Sequence, residues 1–392
     1  MTTQSPDLVV LSHLRWPWVW QRPHHLVVRL AAERAASGGR TYFVEEPLTA
    51  DVPAPRLGTE ERDGITRVWL EVPGGTDPVQ YLPFAAEGTE DYADLLLDRR
   101  AREGRPAAPD VWLYSPMALD IAEALTPGRL VYDVMDDLAS FAQAPEGLRL
   151  RQRRALAEAD VVFSGGRSLH RGVCALRPRG AHLFPSGVET AHYERSRALR
   201  VPRERPVAGY VGVIDERLDL DLLRDLAAAL PDWTLRIVGP VVKIDPATLP
   251  QAPNLEYPGL VPYDALPEVM AGFDVALMPF ALNDATRSIS PTKTLEYLAA
   301  GLPVVSTRVP DVVADYDEVV HLADDGRQFA AACREVLQHA GADRDRRLRP
   351  IQARQEWDTI AAAMSDLLAA VPAPARVVDL RTPAERSVGA TG

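Results

Sequence analysis

The sequence predicts an α/β protein built from two doubly wound domains that face each other across a cleft. Short apolar runs alternate with longer amphipathic runs along the first half of the chain, and the same alternation restarts at residue 206. Apolar strands separated by helices are typical of a parallel sheet that is covered on both faces. At 392 residues the chain also exceeds what one hydrophobic core usually serves, so two domains are expected.

The individual elements follow from hydrophobic periodicity and from helix stop signals. In the first domain we expect helices over 23–36, 151–159 and 167–176, and strands over 7–14, 40–47, 110–116, 129–136, 159–166 and 181–187. In the second domain we expect helices over 217–230, near 264–271 and from residue 292, and strands over 206–213, 234–240, 254–259, 274–280 and 303–307. The predicted divisions are an N-terminal domain over 1–195, a polar joining stretch over 188–206, a C-terminal domain over 206–345, crossover helices over 346–371 and a loosely held tail over 372–392.

The overall charge argues against nucleic acid as a partner. Lys and Arg number 43 and Asp and Glu number 55, which gives a formal net charge of −12, whereas phosphate neutralisation needs a concentrated basic face. A small anionic ligand needs only two or three local positive groups and is compatible with this balance. Lys243 and Lys293 are the only lysines in the sequence, so each is a candidate for a specific role.

The cysteines and the N-terminus indicate the compartment. Cys174 and Cys333 are isolated, and their spacing fits neither a disulfide framework nor a metal site. The N-terminus lacks a basic start followed by a long apolar run, and no stretch approaches the roughly 20 apolar residues of a spanning helix. We therefore expect a cytoplasmic enzyme with no transmembrane segment. Peripheral contact with a membrane surface stays open, and composition does not determine an oligomeric state.

The segment 290-SPTKTLEYLAAGLPVV-305 carries the strongest functional signal. A polar loop precedes it, and a helix is expected to open with Ser290 as N-cap and Pro291 at its first position. The free N–H groups of Thr292 and Lys293 would then point into the cleft and bind phosphate oxygens. Because acids are normally preferred in a first helical turn, the positive charge of Lys293 predicts a bound anion there.

Glu296 lies three residues after Lys293 and shares its face of the helix. A carboxylate one turn deeper would accept hydrogen bonds from two adjacent ribose hydroxyl groups. The two residues fit equally well a plain surface ion pair worth under about 1 kcal/mol. Local physical chemistry leaves both interpretations open.

The stretch SPTKTLEYLAAGLPVVST resembles the donor-site signature of the GT-B glycosyltransferases, especially the retaining family-four (group 1) enzymes. The resemblance extends over the C-terminal domain. It implies the GT-B fold, in which two Rossmann-like domains face a central cleft, and a nucleotide-sugar donor bound by the second domain. It also implies ribose binding by Glu296, diphosphate binding by Gly212 and Arg217, and base contacts from the backbone near Leu260 and Val261.

One departure from the family pattern affects the sugar contacts. Family members often carry a second glutamate eight residues before the one that binds ribose, and Ser288 stands at that position. Arg287, Ser288 and Ser290 are the side chains left to hold the donor sugar, so retention of anomeric configuration does not follow from the resemblance. The loop after Gly239 is also expected to face the donor, because open sheets bind ligands outside the carboxyl ends of their strands. Family frequency favours UDP as the nucleotide, and no cofactor is expected.

The stretch HLRWPWVWQRPHHL (13–26) follows the first strand and enters the first helix. Sugar rings stack on aromatic faces, although tryptophans two residues apart cannot all face one way. The candidates for acceptor contact are Trp16, Trp18, Trp20 and Arg22. His13 and His25 are candidates for substrate contact, and a structural role is the alternative for both.

The stretch VYDVMDDLASF (131–141) follows a strand end that faces the same cleft. If the reaction inverts the anomeric centre, Asp133 or Asp136 would act as the general base that deprotonates the acceptor hydroxyl. If it retains configuration, Arg217, Lys293 and helix N–H groups stabilise the leaving phosphate and no strong base is needed. Helix capping is the structural alternative for these acids.

No metal is expected in the reaction. Asp219-x-Asp221 superficially resembles a metal-binding DxD motif, but side chains at i and i+2 of a helix point apart. Three hypotheses follow: a glycosyltransferase that uses a nucleotide sugar and a hydroxyl acceptor, an isomerase of the same architecture that resembles UDP-N-acetylglucosamine 2-epimerase, and a non-catalytic domain that binds a nucleotide sugar or a partner protein.

Overall fold

The structure is a computed structural model that describes residues 5–74, 78–138, 147–290, 292–338 and 342–371. Within these ranges the chain forms two separate, mainly parallel sheets joined by helices, so the predicted doubly wound α/β architecture is confirmed. The predicted tail over 372–392, part of the acidic segment (139–141) and Pro291 lie outside the described residues.

The N-terminal sheet has nine strands within the described residues: β1 (Leu8–Ser12), β2 (Thr41–Glu45), β3 (Leu48–Ala50), β4 (Arg56–Arg62), β5 (Ile65–Pro73), β6 (Asp110–Leu113), β7 (Arg129–Val134), β8 (Val161–Ser164) and β9 (Ala181–Leu183). Their order is β3-β5-β2-β1-β6-β7-β8-β9, and β4 pairs antiparallel with β5 at the edge. Successive residues of β1 point to opposite faces, with Val9 and Leu11 in one core and Leu8 and Val10 in another. The sheet is therefore buried on both faces, as its apolar strands predict.

The helices of this domain are α1 (Arg22–Ala36), α2 (Tyr92–Arg102), α3 (Leu119–Ala124), α4 (Leu148–Glu158) and α5 (Arg167–Leu176). Helix α1 has proline in its first turn, where the missing N–H costs nothing, and it ends before Gly38, whose φ of 78° suits glycine. Hydrophobic periodicity predicts no strand between β2 and α2, where the structure contains β3, β4 and β5.

The C-terminal sheet contains, in the described ranges, β10 (Val207–Val211), β11 (Thr234–Val238), β12 (Leu255–Gly259), β13 (Val275–Met278), β14 (Val304–Ser306) and β15 (His321–Leu322). The order is β12-β11-β10-β13-β14-β15, and every pair is parallel. The order reverses direction between β10 and β13, which is where a doubly wound sheet opens a ligand crevice. The helices that follow are α6 (Thr190–Leu199), α7 (Leu220–Ala229), α8 (Leu266–Ala271), α9 (Thr292–Ala299), α10 (Pro310–Tyr316), α11 (Gly326–Val336), α12 (Ala342–Gln355) and α13 (Trp357–Ala370).

The chain crosses between the domains at two adjacent points. Val188 forms a parallel bridge with Glu356, through Val188 N–H to Gln355 C=O (2.8 Å) and Trp357 N–H to Val188 C=O (3.2 Å). Helix α6 follows at once and buries Tyr193 in the C-terminal core. The interpretation of 188–206 as a polar joining stretch is therefore wrong over α6, which packs as part of the second domain.

Helix α13 returns to the first domain. Trp357, Ile360 and Met364 are buried in the same core as Leu26 and Leu30 of α1. Their spacing places them on one face of α13, and the crossover helix predicted over 356–371 lies where the amphipathic pattern places it.

Candidate active site

The carboxyl ends of both sheets open onto one cleft between the domains, and three neighbouring cavities fill it. Their volumes are about 790, 130 and 310 Å³. We call them the large cavity, the central cavity and the N-terminal cavity. Gly212 lines both the large and the central cavity, whereas Asp136 and Arg217 line both the central and the N-terminal cavity. The three cavities therefore form one continuous site.

Helix α9 begins at the central cavity. Ser290, Thr292, Lys293 and Glu296 all line this cavity, as the donor-site prediction requires. The Lys293 Nζ atom lies 2.6 Å from Glu296 Oε2, and the side chains are 18% and 3% exposed. A largely desolvated lysine in a first helical turn is a feature that an ordinary surface ion pair does not explain.

The position of α9 is set by its buried face. The Tyr297 hydroxyl accepts a hydrogen bond of 2.7 Å from Val211 N–H, which fastens the helix to the end of β10. The helix ends as predicted at Gly301, whose φ of 77° lies in the left-handed region that favours glycine. These contacts place the first turn of α9 beside the loop after β10.

The two glycine turns of the C-terminal domain touch each other. A Cβ atom at Gly239 would lie 1.8 Å from the carbonyl oxygen of Gly212, so residue 239 must be glycine for the loops after β10 and β11 to meet. Both glycines line the large cavity. Leu260 and Val261, predicted to meet the base, line the same cavity farther along.

Arg217 is held by a buried carboxylate. Its Nη2 atom donates to Asp215 Oδ2 at 2.7 Å and its Nε atom donates to Asp215 Oδ1 at 2.9 Å. Asp215 is 3% exposed and also accepts a hydrogen bond from the main chain of Arg217. Ion pairing with Asp215 raises the pKa of Arg217 despite its burial. The guanidinium is thus kept charged and oriented at the boundary between the central and N-terminal cavities.

Two residues predicted to contact the donor sugar lie apart from the cavities. Neither Arg287 nor Ser288 lines any of the three. The Arg287 side chain is 73% exposed and pairs with Asp284. Of the three side chains predicted to hold the donor sugar, Ser290 is the one that lines the central cavity.

The tryptophans after β1 divide between core and cleft. Trp16 is 2% exposed and packs edge-on against Phe43 at 4.9 Å, so it contributes mainly to the core even though it touches the large cavity. Trp18 is 45% exposed and lines the large and N-terminal cavities. Trp20 reaches across the cleft and stacks on Tyr263 at 5.2 Å.

Tyr263 forms the centre of an aromatic cluster between the domains. His192 of α6 stacks on the Tyr263 ring at 4.3 Å with an interplanar angle of 6°. The Tyr263 hydroxyl donates a hydrogen bond to Glu189. His25 lies edge-on to Tyr263 at 5.4 Å and stacks on Trp357 at 5.0 Å. Burial and the nearby Arg29 hold the pKa of His25 well below its ordinary value, so the ring is neutral.

The sequence drew attention to His25 but not to Glu189, His192 or Tyr263. His25 touches the central cavity, and its ring is enclosed by aromatic neighbours. This environment indicates a structural role for His25. Tyr263 lies two residues after Val261, which is predicted to contact the base, and that position is the one signal in the sequence that could have revealed the cluster.

Arg22 and Asp133 form a buried pair. The Arg22 Nε atom lies 2.9 and 3.1 Å from the two carboxylate oxygens of Asp133, and Arg22 Nη1 donates to the carbonyl oxygen of Phe184 at 2.8 Å. Asp133 is fully buried and lines none of the cavities. The prediction of Asp133 as a general base is therefore wrong in this structure, because its carboxylate is committed to Arg22 and out of reach of a ligand.

Arg22 itself faces the donor side of the cleft. Its Nη2 atom is buried without a hydrogen-bond partner in the described part of the chain, and the side chain lines the central cavity. The sequence predicts that Arg22 contacts the acceptor, whereas in the structure its side chain shares the central cavity with Lys293 and Arg217. Three cationic side chains converge on this cavity.

Asp136 occupies the junction between two cavities. It lines the central cavity with Arg217 and Lys293, and the N-terminal cavity with His13. Burial raises the pKa of Asp136 to about 6, although Arg217 and Lys243 favour its ionised form. A carboxylate with a pKa near neutrality at a cavity junction is suited to accept a proton.

An interdomain contact closes the cleft beside Ser290. Asp311 at the start of α10 accepts hydrogen bonds from Ser168 N–H (3.1 Å) and Ser168 Oγ (2.5 Å) at the start of α5. Gly166 allows this approach, since a Cβ atom there would lie 2.7 Å from Asp311 and from Ser290. No sequence pattern connected these segments, which are far apart in the chain.

Within the described ranges, no helix is long and apolar enough to cross a membrane. The same ranges contain no group of three or more His, Cys, Asp and Glu side chains that could hold a metal ion.

Comparison with known proteins agrees with this geometry. Solved structures that align with most of the chain include sucrose-phosphate synthase from Thermosynechococcus elongatus (TM-score 0.68, 17% identity, 93% of this chain and 98% of that chain). They also include HepE from Anabaena in complex with UDP and glucose (TM-score 0.67, 14% identity, 93% and 100%) and a UDP-forming α,α-trehalose-phosphate synthase from Burkholderia xenovorans (TM-score 0.65, 13% identity, 94% and 99%). The protein therefore has the GT-B fold.

The family comparison concerns the C-terminal domain. Residues 205–339 match the family described as Glycosyl transferases group 1. The chain is 28% identical over 232 residues to a Bacillus subtilis (strain 168) protein assigned to teichuronic acid biosynthesis as glycosyltransferase TuaH. That similarity covers 54% of this chain and 57% of the relative, so the chain spans little more than half of the relative's length. The resemblance to the group 1 glycosyltransferases is confirmed over residues 205–339.

Proposed function

We propose that this protein is a glycosyltransferase that moves a sugar from a nucleoside-diphosphate sugar, a UDP-sugar, to a hydroxyl group of a saccharide or small-molecule acceptor. The observation that carries the proposal is the first turn of α9, where a desolvated Lys293 and the buried Glu296 open onto a cavity lined by Arg22 and Arg217. Three cations and a helix N-terminus fit a diphosphate, which carries concentrated negative charge.

Different residues along the cleft bind the phosphates, the ribose and the base of the donor. Lys293 leaves Glu296 to bind a phosphate oxygen, and Glu296 then accepts hydrogen bonds from the ribose hydroxyls. The base extends into the large cavity, which is lined by Gly239, Leu260 and Val261. The UDP present in the complex of the Anabaena protein supports uracil as the base.

The transfer step requires little covalent chemistry from the protein. The acceptor oxygen attacks the anomeric carbon, the bond from that carbon to the β-phosphate oxygen breaks, and UDP leaves. Arg22, Arg217 and Lys293 stabilise the negative charge that develops on the leaving phosphate. Asp136 takes the proton of the acceptor hydroxyl, since it lies where the central cavity meets the N-terminal cavity. No cofactor or metal ion enters this scheme, and the cytoplasm, where nucleotide sugars are made, is the proposed location.

Calorimetric titration with UDP, GDP, dTDP, ADP and uridine tests the donor site. We expect UDP to bind most tightly, and Glu296→Ala to weaken UDP while leaving the protein folded. Glu318→Gln is the control, because that side chain is 72% exposed and lines none of the three cavities. UDP affinity that is equal in wild type and Glu296→Ala would remove the donor assignment.

Incubation with the nucleotide sugar alone separates the transferase from an epimerase of the same fold. A transferase releases UDP at an appreciable rate only when an acceptor hydroxyl is supplied. An epimerase converts the sugar without an acceptor, and that product in the absence of acceptor would contradict the proposal.

A further inference from the structure

The N-terminal cavity is lined by polar side chains from several strand ends. His13 follows β1, Glu46 follows β2, Ser115 follows β6 and Asp136 follows β7, while Lys243 enters from the C-terminal domain. The cavity has a volume of about 310 Å³, which lies within the range of small-molecule sites. These five side chains bring hydrogen-bond donors, hydrogen-bond acceptors and both signs of charge to one cavity.

Glu46 differs from its neighbour Glu45. The fully buried Glu45 carboxylate accepts hydrogen bonds from Arg15 (2.9 Å), from Arg67 (2.6 and 3.0 Å) and from Trp16 N–H (2.8 Å). Arg15 reaches only the main-chain oxygen of Glu46, at 2.7 Å. Among the residues that the structure describes, the Glu46 carboxyl group has no hydrogen-bond or ion-pair partner, and it faces the cavity.

The protonation states of Glu46 and His13 favour a ligand that carries hydroxyl groups. Burial raises the pKa of Glu46 to about 8, and burial lowers the pKa of His13 to about 4. At neutral pH both groups are uncharged, and each can donate one hydrogen bond and accept another. The His13 Nδ1 atom is buried without a partner in the described ranges. A sugar hydroxyl, which both donates and accepts, satisfies such groups, whereas leaving them unpaired is costly.

The charged side chains that line the cavity balance each other. Asp136 and Asp215 oppose Lys243 and Arg217, so the lining offers no net charge that would select a charged ring. Trp18, 45% exposed, adds an aromatic wall on which an apolar sugar face can stack.

We propose that the N-terminal cavity binds the acceptor as an uncharged, polyhydroxylated sugar ring, and that Glu46 and His13 bind the ring hydroxyls beside the one that reacts at Asp136. This inference rests on the proposed function. It assigns Glu46 as a specificity-determining residue. Its carboxylic acid donates to one ring hydroxyl and accepts from another.

The pH dependence of ring binding follows from the charges that face Glu46. Burial opposes ionisation of Glu46, and Arg15, which lies beside its main chain, favours it. The charged or titratable groups across the cavity are Asp136, Asp215, Arg217, Lys243 and the neutral His13. Above about pH 8 the Glu46 carboxyl group loses its proton and hence its ability to donate. Ring affinity is therefore present below that pH and is lost as the pH rises through it. Glu46→Gln keeps a neutral donor and acceptor at every pH.

The test measures binding of methyl α-glycosides of glucose, galactose and mannose to the UDP-saturated protein by saturation-transfer NMR at millimolar ligand. The methyl glycosides of glucuronic acid and glucosamine provide charged counterparts. The variants are Glu46→Gln, Glu46→Ala and, as a matched control, Glu87→Gln, whose exposed side chain lies outside the cavity. Calorimetric UDP affinity of each variant is measured in parallel.

We expect at least one uncharged glycoside to bind wild type and Glu87→Gln equally. We expect Glu46→Ala to weaken binding of that glycoside about 5- to 150-fold, the range for two neutral hydrogen bonds. Glu46→Gln should retain wild-type affinity at neutral pH and should keep it well above pH 8, where wild type loses it.

Three results would overturn the inference: no uncharged glycoside binds, a charged glycoside binds more tightly than all uncharged ones, or Glu46→Ala binds as wild type does. If UDP affinity stays normal in that case, the inference alone has failed. If UDP does not bind even wild type, the proposed function has failed.

Discussion

Lys293→Met removes the ammonium group at the first turn of α9 and keeps most of the apolar length of the side chain. In the structure Lys293 is bonded to Glu296 at 2.6 Å with 18% of its side chain exposed. In the proposed complex it exchanges that partner for a phosphate oxygen. The variant should therefore weaken UDP specifically and leave the uridine portion unaffected.

The magnitude follows from the kind of hydrogen bond that is lost. A hydrogen bond to a charged group contributes about 1.5–3 kcal/mol, which corresponds to a roughly 10- to 150-fold loss of UDP affinity. Because Lys293 gives up its bond to Glu296 on binding, the lower part of this range is expected. Uridine has no phosphate, so its affinity should not change.

Calorimetry of UDP and uridine with the same protein preparations provides the assay. Arg287→Ala is the matched control, since it removes one positive charge from an exposed side chain in the loop before α9. Because the variant leaves the buried Glu296 carboxylate without its partner, the thermal stability of Lys293→Met is measured in parallel to distinguish lost phosphate binding from lost stability. Equal weakening of UDP and uridine, or unchanged UDP affinity, would refute a phosphate role for Lys293.

Substitutions at Asp136, Gly239 and Asp311 provide further tests. Asp136→Asn should lower kcat about 10²- to 10⁴-fold with unchanged UDP affinity, and the wild-type rate should rise with pH through about 6 as the carboxylate loses its proton; a retained rate would indicate that no base is used. The pKa of Asp136 is raised in the folded protein, so the ionised carboxylate destabilises the fold once the pH rises above about 6. Asp136→Asn should therefore increase the free energy of unfolding at neutral pH by about 1–3 kcal/mol, as measured by denaturant titration. Gly239→Ala should destabilise the protein by more than about 1 kcal/mol and weaken UDP, because its Cβ atom would overlap Gly212; normal thermal stability would contradict the tight contact. Asp311→Ala should lower the free energy of unfolding by about 0.5–2 kcal/mol through loss of the cap on α5, and Ser168→Ala should lose less because the main-chain bond remains; equal stability of Asp311→Ala and wild type would show that the contact contributes nothing.

The sequence by itself determined the elements that surround the cleft. Strands such as β1 and β10 and helices such as α5 lie within one or two residues of the predicted ranges, because hydrophobic periodicity and glycine or proline stop signals act over a few neighbouring residues. The start of α9, with Lys293 and Glu296 on one face, is likewise a local property of the segment 290–305. Local information failed for β3, β4 and β5, which depend on pairing at a sheet edge.

Only the tertiary structure decided which polar side chains are committed and which face the cavities. Arg22 and Asp133 are 111 residues apart and pair in the core. Glu45 pairs with Arg15 and Arg67, whereas no cation in the described part of the chain forms an ion pair with the carboxyl group of the adjacent Glu46. The residue types were visible in the sequence, but the role of each depends on desolvation and on partners brought together by packing. Those are properties of the folded cleft and not of any local segment.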